Sequence, residues 1–338
     1  MVGQIATTIR QVAAAAGVSI ATASRALSGS EAVVDATKSR VLQVAADLDY
    51  TPSRLARSLV TGTTGNVGVI VPDITNPFYA PFLAELESTL AASDVGLLIG
   101  NSQESSEREH LLVRRMSSQV DGLVLASSRL SDEQVVRATG RLPVVLVNRR
   151  LGPGMEVPSR LAQVVIDVAP GFGAAVRHLY GLGHRRLHYI DGPVRSWSAA
   201  QKRAALEESC AELGMALEVL GTTRPDFPAG REVGRQLLAD QSSDMGTAVL
   251  AYNDQVALGV LSACRDAGVR VPGEQSVVGC DDSLPEGLAE PALTTVDSSS
   301  RDLGALSAAA ILDPAGMPTD TVTTRLVIRA STGPASST

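Results

Sequence analysis

The chain has 338 residues, 44% hydrophobic and 19% charged, the balance of an ordinary soluble protein, and is too long for one small core, so two or three folding units are expected. Aromatic residues make up only 3%, which leaves the cores to Ala, Val and Leu. A net charge of −7 excludes a uniformly basic protein, and no apolar leader or membrane-length run is present, so a cytoplasmic protein without membrane contact is predicted.

The charge is unevenly placed. Residues 1–61 hold six basic residues (Arg10, Arg25, Lys38, Arg40, Arg54, Arg57) against four acidic ones (Glu31, Asp35, Asp47, Asp49), a net of +2, which leaves −9 on the rest. This sign asymmetry suits a DNA-binding head on an acidic body. Thr8 is placed to cap a helix from Ile9, whose Ile9, Val12, Ala13 and Ala16 form one apolar stripe. Gly17 supplies a turn, and Ser19 is a good cap for a second helix running to about Leu27. On that helix Ala23 and Leu27 face inward, whereas Ile20, Ala21, Ser24, Arg25 and Ser28 share the other face. Such a division suits a helix-turn-helix, whose second helix enters the major groove. A third helix is predicted from Asp35 to Leu48, with Val41, Ala45 and Leu48 facing in. Pro52 ends it, and Ser53 starts one further helix too short to stand alone in water. The same pattern also suits a small alanine-rich bundle with no DNA role.

Thr61–Gly65 reads as a polar joint. Beyond it, apolar runs alternate with helical stretches: 67–71, 96–100, 122–126, 144–148, 164–167, 187–190, 248–251 and 277–280. Continuous apolar strands separated by helices predict parallel sheets in α/β layers, with a ligand site at the carboxyl ends of strands. Polar and aromatic residues cluster there: Asp73, Thr75, Asn76, Phe78 and Tyr79, then Asn148 and Arg149, Trp197, Ser198 and Arg203, Phe227, Asn253 and Asp254, and Asp281 and Asp282. Carboxylates, amides and aromatic faces suit a polyol. Taken alone, this body also suits a solute-binding protein of a transporter. An α/β enzyme with a helical head is a third reading, weakened because Gly171-Phe-Gly173 lacks a third glycine and no phosphate loop or nucleophile elbow occurs. Cys210, Cys264 and Cys280 read as buried reduced thiols, and His110, His178, His184 and His188 lack metal spacing, so no metal, cofactor or catalytic residue is expected.

Several stretches in order resemble the LacI/GalR (lactose-repressor-type) family: Ala16-Gly-Val-Ser19, Thr22-Ala-Ser-Arg25, Tyr50-Thr-Pro-Ser-Arg-Leu-Ala-Arg57, Val71-Pro-Asp-Ile-Thr-Asn-Pro-Phe78, Gly183-His-Arg-Arg186, Asn253-Asp-Gln-Val-Ala257, Val277-Val-Gly-Cys-Asp-Asp282 and Leu293-Thr-Thr-Val296. The resemblance implies a small all-α helix-turn-helix head (1–51), a hinge helix and linker (52–62), and an α/β core like periplasmic binding proteins (63–338). That core would hold two doubly wound parallel-sheet subdomains, about 66–162 plus 294–318 and about 163–291 plus 322–335, with crossings near 160–165, 290–294 and 318–323.

The resemblance further implies an allosteric repressor working as a homodimer on a pseudopalindromic operator in double-stranded DNA. Its small-molecule effector would be a sugar or sugar derivative, acting as inducer or corepressor. The implied DNA-binding residues are Thr8, Ser19, Ile20, Ala21, Thr22, Ser24, Arg25, Ser28, Arg54, Arg57 and Leu59. Ile20 and Ala21 would offer thymine methyls only apolar contact, Arg25 would pair with guanine, Thr22 and Ser24 would hold phosphates, and Leu59 would wedge into the minor groove. The implied effector contacts are Asn76, Phe78, Tyr79, Asn148, Trp197, Arg203, Phe227, Asn253 and Asp281. Three departures stand out. Val34 replaces the usual capping Ser or Thr, so Asp35 is expected to cap the third helix. Val168 follows Asp167 where Asn is common, and Cys280 stands where an aromatic often precedes the aspartates.

Overall fold

A computed structural model describes residues 7–27, 30, 32–50, 62–222, 224–239, 247–285, 287–313 and 319–335. The chain divides into two units, residues 1–65 and 66–338.

In the first unit, α1 (Ile9–Ala15), α2 (Ile20–Leu27) and α3 (Asp35–Asp47) pack around Val12, Ala13, Ala16, Ala23, Ala26, Val33, Val41 and Ala45. Most of these side chains are small, so the helices meet closely over little apolar area. The Thr8 backbone N–H and hydroxyl both donate to Gln11 Oε1, at 2.7 and 3.0 Å, which fixes the start of α1. Gly17 adopts φ +64° and turns the chain into α2, and the Thr22 N–H donates to Ser19 Oγ at 3.1 Å. Two expectations fail here. Leu48 is 37% exposed, because α3 ends at Asp47 and the chain folds back through Tyr50 N–H to the Ala45 carbonyl (2.8 Å), seating Tyr50 against the core instead. Asp35 is the first helical residue rather than the cap. Val34 holds the cap position without a side-chain bond, and the Asp35 carboxylate acts through its charge at the helix N-terminus. Ser28, Arg54, Arg57, Leu59 and nearly all of the expected hinge lie outside the described residues.

The second unit contains two six-stranded sheets. The first is ordered β11-β5-β4-β3-β1-β2, from β1 (Asn66–Val71), β2 (Gly96–Asn101), β3 (Gly122–Ala126), β4 (Val144–Val147), β5 (Leu161–Asp167) and β11 (Thr319–Thr323), all parallel. The second is ordered β12-β10-β9-β8-β6-β7, from β6 (Arg186–Ile190), β7 (Ala216–Leu220), β8 (Ala248–Ala251), β9 (Ser276–Asp281), β10 (Thr294–Asp297) and β12 (Arg325–Val327). Only β12 runs antiparallel to its neighbour. The central strands β3, β4 and β8 are buried throughout, as a sheet covered by helices on both faces demands. Among the flanking helices are α4 (Tyr79–Ala91), α5 (Ser106–Met116), α6 (Asp132–Thr139), α7 (Ala169–Gly181), α8 (Trp197–Leu213), α9 (Phe227–Ala239), α10 (Asp254–Ala267) and α11 (Ser300–Leu312). No described helix is long and apolar enough to cross a membrane.

The chain passes between the sheets at Asp167–Val168, at Ser298–Ser299 and at Thr324, each later than the sequence suggests. The first two subdomain boundaries therefore move from 162 to 167 and from the 291–294 interval to 298, because β5 and β10 complete their pairing before the chain leaves. The third moves to 324, because 319–323 is itself a strand of the first sheet. The first and third crossings are tied together. Thr324 Oγ1 donates to the Asp167 carbonyl (2.9 Å) and accepts from Gly171 N–H (3.0 Å). A Cβ on Gly171 would come within 2.5 Å of Val296 Cγ1 and 2.6 Å of Thr324 Oγ1, so only glycine fits where these segments meet.

Candidate functional site

In the head, α2 turns Ala23 and Ala26 into the core and leaves Ile20, Ala21 and Arg25 exposed, with Thr22 and Ser24 half-buried beside them. Ile20 is 47% exposed, a large apolar side chain held outward on a helix that buries its alanines. The hydroxyls of Ser19 and Thr22 hydrogen-bond each other at 2.8 Å at the head of α2. Apolar, hydroxyl and guanidinium groups thus share one outward face, the chemistry needed to meet base edges and phosphates.

In the core, the carboxyl ends of the two sheets enclose a cavity. The first subdomain contributes Asn76, Phe78, Tyr79, Ser127, Asn148 and Ile166, and the second contributes Ser198, Lys202, Tyr252, Asp281 and Ser298. Phe78 and Tyr79 pack edge to face, with ring centres 5.0 Å apart, against the apolar wall. Asn148, 8% exposed and at φ +52°, donates through Nδ2 to Ser127 Oγ (3.4 Å), while its Oδ1 has no partner among the described residues. A buried amide oxygen without a donor is costly, and this one belongs to a residue that lines the cavity.

Lys202 dominates the opposite wall. Its ammonium donates to the Tyr252 carbonyl at 2.9 Å, lies 3.7 Å from Asp281 Oδ1 and stands 4.3 Å from the centre of the Tyr252 ring. Burial alone would discharge it, but the acidic groups around it, Cys280 and Asp281 foremost, hold its pKa above the ordinary lysine value. Burial pushes the Asp281 carboxyl upward, and Lys202 draws it back. Asp281 also accepts from Ser298 Oγ at 3.3 Å. The cavity is narrow, about 30 Å³. That is room for about two water molecules, so a sugar ring enters only if the sheets part.

Of the nine residues expected around the effector, Asn76, Phe78, Tyr79, Asn148 and Asp281 line this cavity and four do not. Arg203 points away: its Nε donates to Asp191 Oδ2 at 2.8 Å, and its side chain is 45% exposed. One residue along a helix rotates a side chain by about 100°, and the residue facing the cleft is Lys202. Asn253 caps α10, accepting from Val256 N–H and donating to the Pro225 carbonyl, both at 2.9 Å, so its amide is already satisfied. Phe227 opens α9, 39% exposed and outside the cavity. Trp197 lines a separate concavity next to the first. The sequence reading missed Lys202, although the signal was present. Ser198, Ala199, Lys202, Ala205, Leu206 and Cys210 form one buried stripe of α8, and a lysine within such a stripe needs a buried partner.

His184 is a structural tie within the second sheet's surroundings. His184 bonds Thr247 Oγ1 through Nδ1 (2.6 Å), and its Nε2 lies 3.1 Å from both Ser276 Oγ and the Gly333 carbonyl.

Residues 8–53 match the family described as bacterial regulatory proteins, lacI family, and residues 176–332 match a periplasmic binding protein-like domain. The chain is 30% identical over 304 residues to catabolite control protein A of Priestia megaterium, covering 89% of this chain and 90% of that one. It is 32% identical over 292 residues to the HTH-type transcriptional regulator GalS of Salmonella typhimurium, covering 86% and 84%. Its fold matches the lac repressor dimer bound to operator and the anti-inducer ONPF with a TM-score of 0.85, at 24% identity over 97% of this chain and 100% of that one. A complex of the transcriptional regulator CelR with cellobiose matches with a TM-score of 0.70, at 28% identity over 96% and 99%.

Proposed function

The chain belongs to the LacI family of bacterial regulatory proteins, as a DNA-binding transcriptional regulator rather than an enzyme, and from that premise we propose that it is a repressor whose operator affinity is set by a small carbohydrate held in the core cleft. The observation that carries this reading is the convergence, from two sheets on one cavity, of the unpaired Asn148 Oδ1 and the Lys202–Asp281 pair. The amide oxygen accepts from a ligand hydroxyl, the ammonium and carboxylate grip a vicinal pair, and Phe78 and Tyr79 cover a C–H face. The cavity carries one positive and one negative group, which suits a neutral ligand.

Entry of that ligand parts the two subdomains about the crossings at Asp167–Val168, Ser298–Ser299 and Thr324. Two copies of the chain present two heads to the half-sites of a pseudopalindromic operator, in the cytoplasm where the DNA lies. Arg25 reads guanine, Ile20 and Ala21 meet thymine methyls, and Thr8, Ser19, Thr22 and Ser24 hold phosphates. Arg54, Arg57 and the Leu59 wedge are carried by the sequence pattern alone. Because ligand and operator are coupled through one equilibrium, each shifts the affinity of the other by the same factor.

The test is a thermal-shift screen of sugars on the full chain, repeated with operator DNA bound. A sugar that stabilises the protein, with an affinity altered by operator, supports the reading. Weaker binding on DNA marks an inducer and tighter binding a corepressor. If stabilising sugars bind equally with and without operator, the allosteric reading fails.

A further inference from the structure

The core holds a concavity larger than the cavity of the Lys202–Asp281 pair. It is an opening of about 500 Å³ beside that cavity, within the range of small-molecule sites, whereas the inner cavity offers about 30 Å³. The two share Ile166 and Val168 as a common wall. They also share α8, which divides its faces between them. Ser198 and Lys202, four apart, point into the inner cavity, whereas Trp197, Gln201, Ala204 and Glu208 border the outer one. A ligand that spans both would run along the first turns of α8 and past the wall of Ile166 and Val168.

The outer lining has a particular chemistry. Trp197 is the only tryptophan of the chain, and it is half-buried at the start of α8 with Ser196 capping the helix beneath it. Around it stand Arg150, Asp167, Gln201, Glu208 and Thr321: a guanidinium, two carboxylates, an amide and a hydroxyl. A flat aromatic face ringed by planar hydrogen-bonding groups of both signs is suited to a sugar ring, with apolar C–H groups on one side and hydroxyls on its edge. The charges of both signs disfavour a strongly anionic ligand.

We propose that this concavity is an outer sugar-ring subsite, so that the effector is a glycoside of at least two rings, one in the cleft at Lys202 and one against Trp197. This rests on the carbohydrate reading of the cleft given above. It makes the inner cavity select the terminal ring and Trp197 select for length.

Isothermal calorimetry on the full chain tests it with cellobiose, maltose and lactose, each beside its constituent glucose or galactose. At least one disaccharide is expected to bind about tenfold or more tightly than its monosaccharides. Trp197→Ala is expected to remove that advantage while leaving monosaccharide affinity within twofold. Should Trp197→Ala lower the melting temperature, Gln201→Ala, an exposed change, is expected to weaken only disaccharide binding. Equal affinity for the two sizes, or a disaccharide affinity indifferent to both variants, overturns the outer subsite. Lys202→Met separates this failure from that of the cleft reading. Monosaccharide binding that Lys202→Met abolishes leaves the cleft standing while the outer subsite falls, and binding indifferent to Lys202→Met, or no binding by any of the sugars, removes both.

Discussion

Lys202 Nζ and Asp281 Oδ1 face each other at 3.7 Å, each almost wholly buried, at the point where the second subdomain meets the first. Removing one partner leaves the other buried without compensation, at a cost of about 3–5 kcal/mol. Lys202→Met and Asp281→Leu are each expected to lower the urea midpoint. The double variant is expected to recover much of the loss, since an apolar pair of similar volume is well tolerated. Strictly additive losses in this cycle would mean that the two groups do not act as a pair.

The neighbouring Arg203 gives the opposite expectation. Its guanidinium is nearly half exposed and engaged with Asp191, away from the cavity. Arg203→Ala is expected to cost about 1–3 kcal/mol of stability, because solvent screens the guanidinium but the Asp191 carboxylate it leaves behind is only 2% exposed. Effector affinity by calorimetry is expected to stay within twofold. A tenfold loss of affinity at unchanged stability would return Arg203 to the site.

That one-residue offset marks where the sequence stops being legible. The central strands are readable because a buried parallel strand is a continuous apolar run, as in Leu123–Ala126 or Val144–Val147. β7, β11 and β12 escape such reading because they are short or exposed edge strands, and Thr319–Thr323 is mostly hydroxyls and an aspartate. The strand-end positions Asn76, Phe78, Tyr79, Asn148 and Asp281 are readable because strand order fixes where those ends converge. On α8 nothing so local sets the facing. Whether residue 202 or 203 meets the cleft depends on the helix starting at the Ser196 cap and on which stripe the core takes. Asn253 falls outside the cavity for a related reason, since a helix cap and a ligand contact draw on the same residue types.

In the head, Arg25 is the one exposed cation among the residues expected on the outward face of α2, beside the apolar Ile20 and Ala21. Arg25→Ala is expected to lose about 1–3 kcal/mol of operator binding and to relax the preference at one base position in each half-site. Titration against the operator and its single-base variants checks both. A loss that is uniform across all variants would make Arg25 a phosphate contact rather than a base reader.

Gly171 tests the crossing region. Its missing Cβ lets Val296 and Thr324 approach, so Gly171→Ala forces either segment to shift. Overpacking of this kind costs about 1–3 kcal/mol. The same shift changes the angle at which the sheets meet, so effector affinity and its coupling to operator are expected to change together. A variant that is less stable yet keeps both quantities would reduce Gly171 to a packing residue.

Asp254 makes a prediction about pH. It lies behind the cleft, accepting from Thr295 Oγ1 (2.6 Å) and from Ser283 N–H (2.8 Å), and burial, with the nearby Asp281 charge, pushes its pKa up to about 7. The folded state therefore holds a proton that the unfolded state releases near the ordinary aspartate value of 3.8. The stability linked to this group is fully present below about pH 4 and is lost as pH rises to about 7. His178 and His184 work the other way, since burial lowers their pKa values and costs stability as pH falls below their unfolded values. The raw pH profile is therefore a compromise, and the Asp254 contribution appears as a difference. The melting temperature of Asp254→Asn minus that of the wild type is expected to rise steadily from about pH 5 to pH 8, because the amide stays neutral throughout. A difference that is flat across this range would show that Asp254 is already ionised in the folded protein, its charge carried by Thr295 and Ser283.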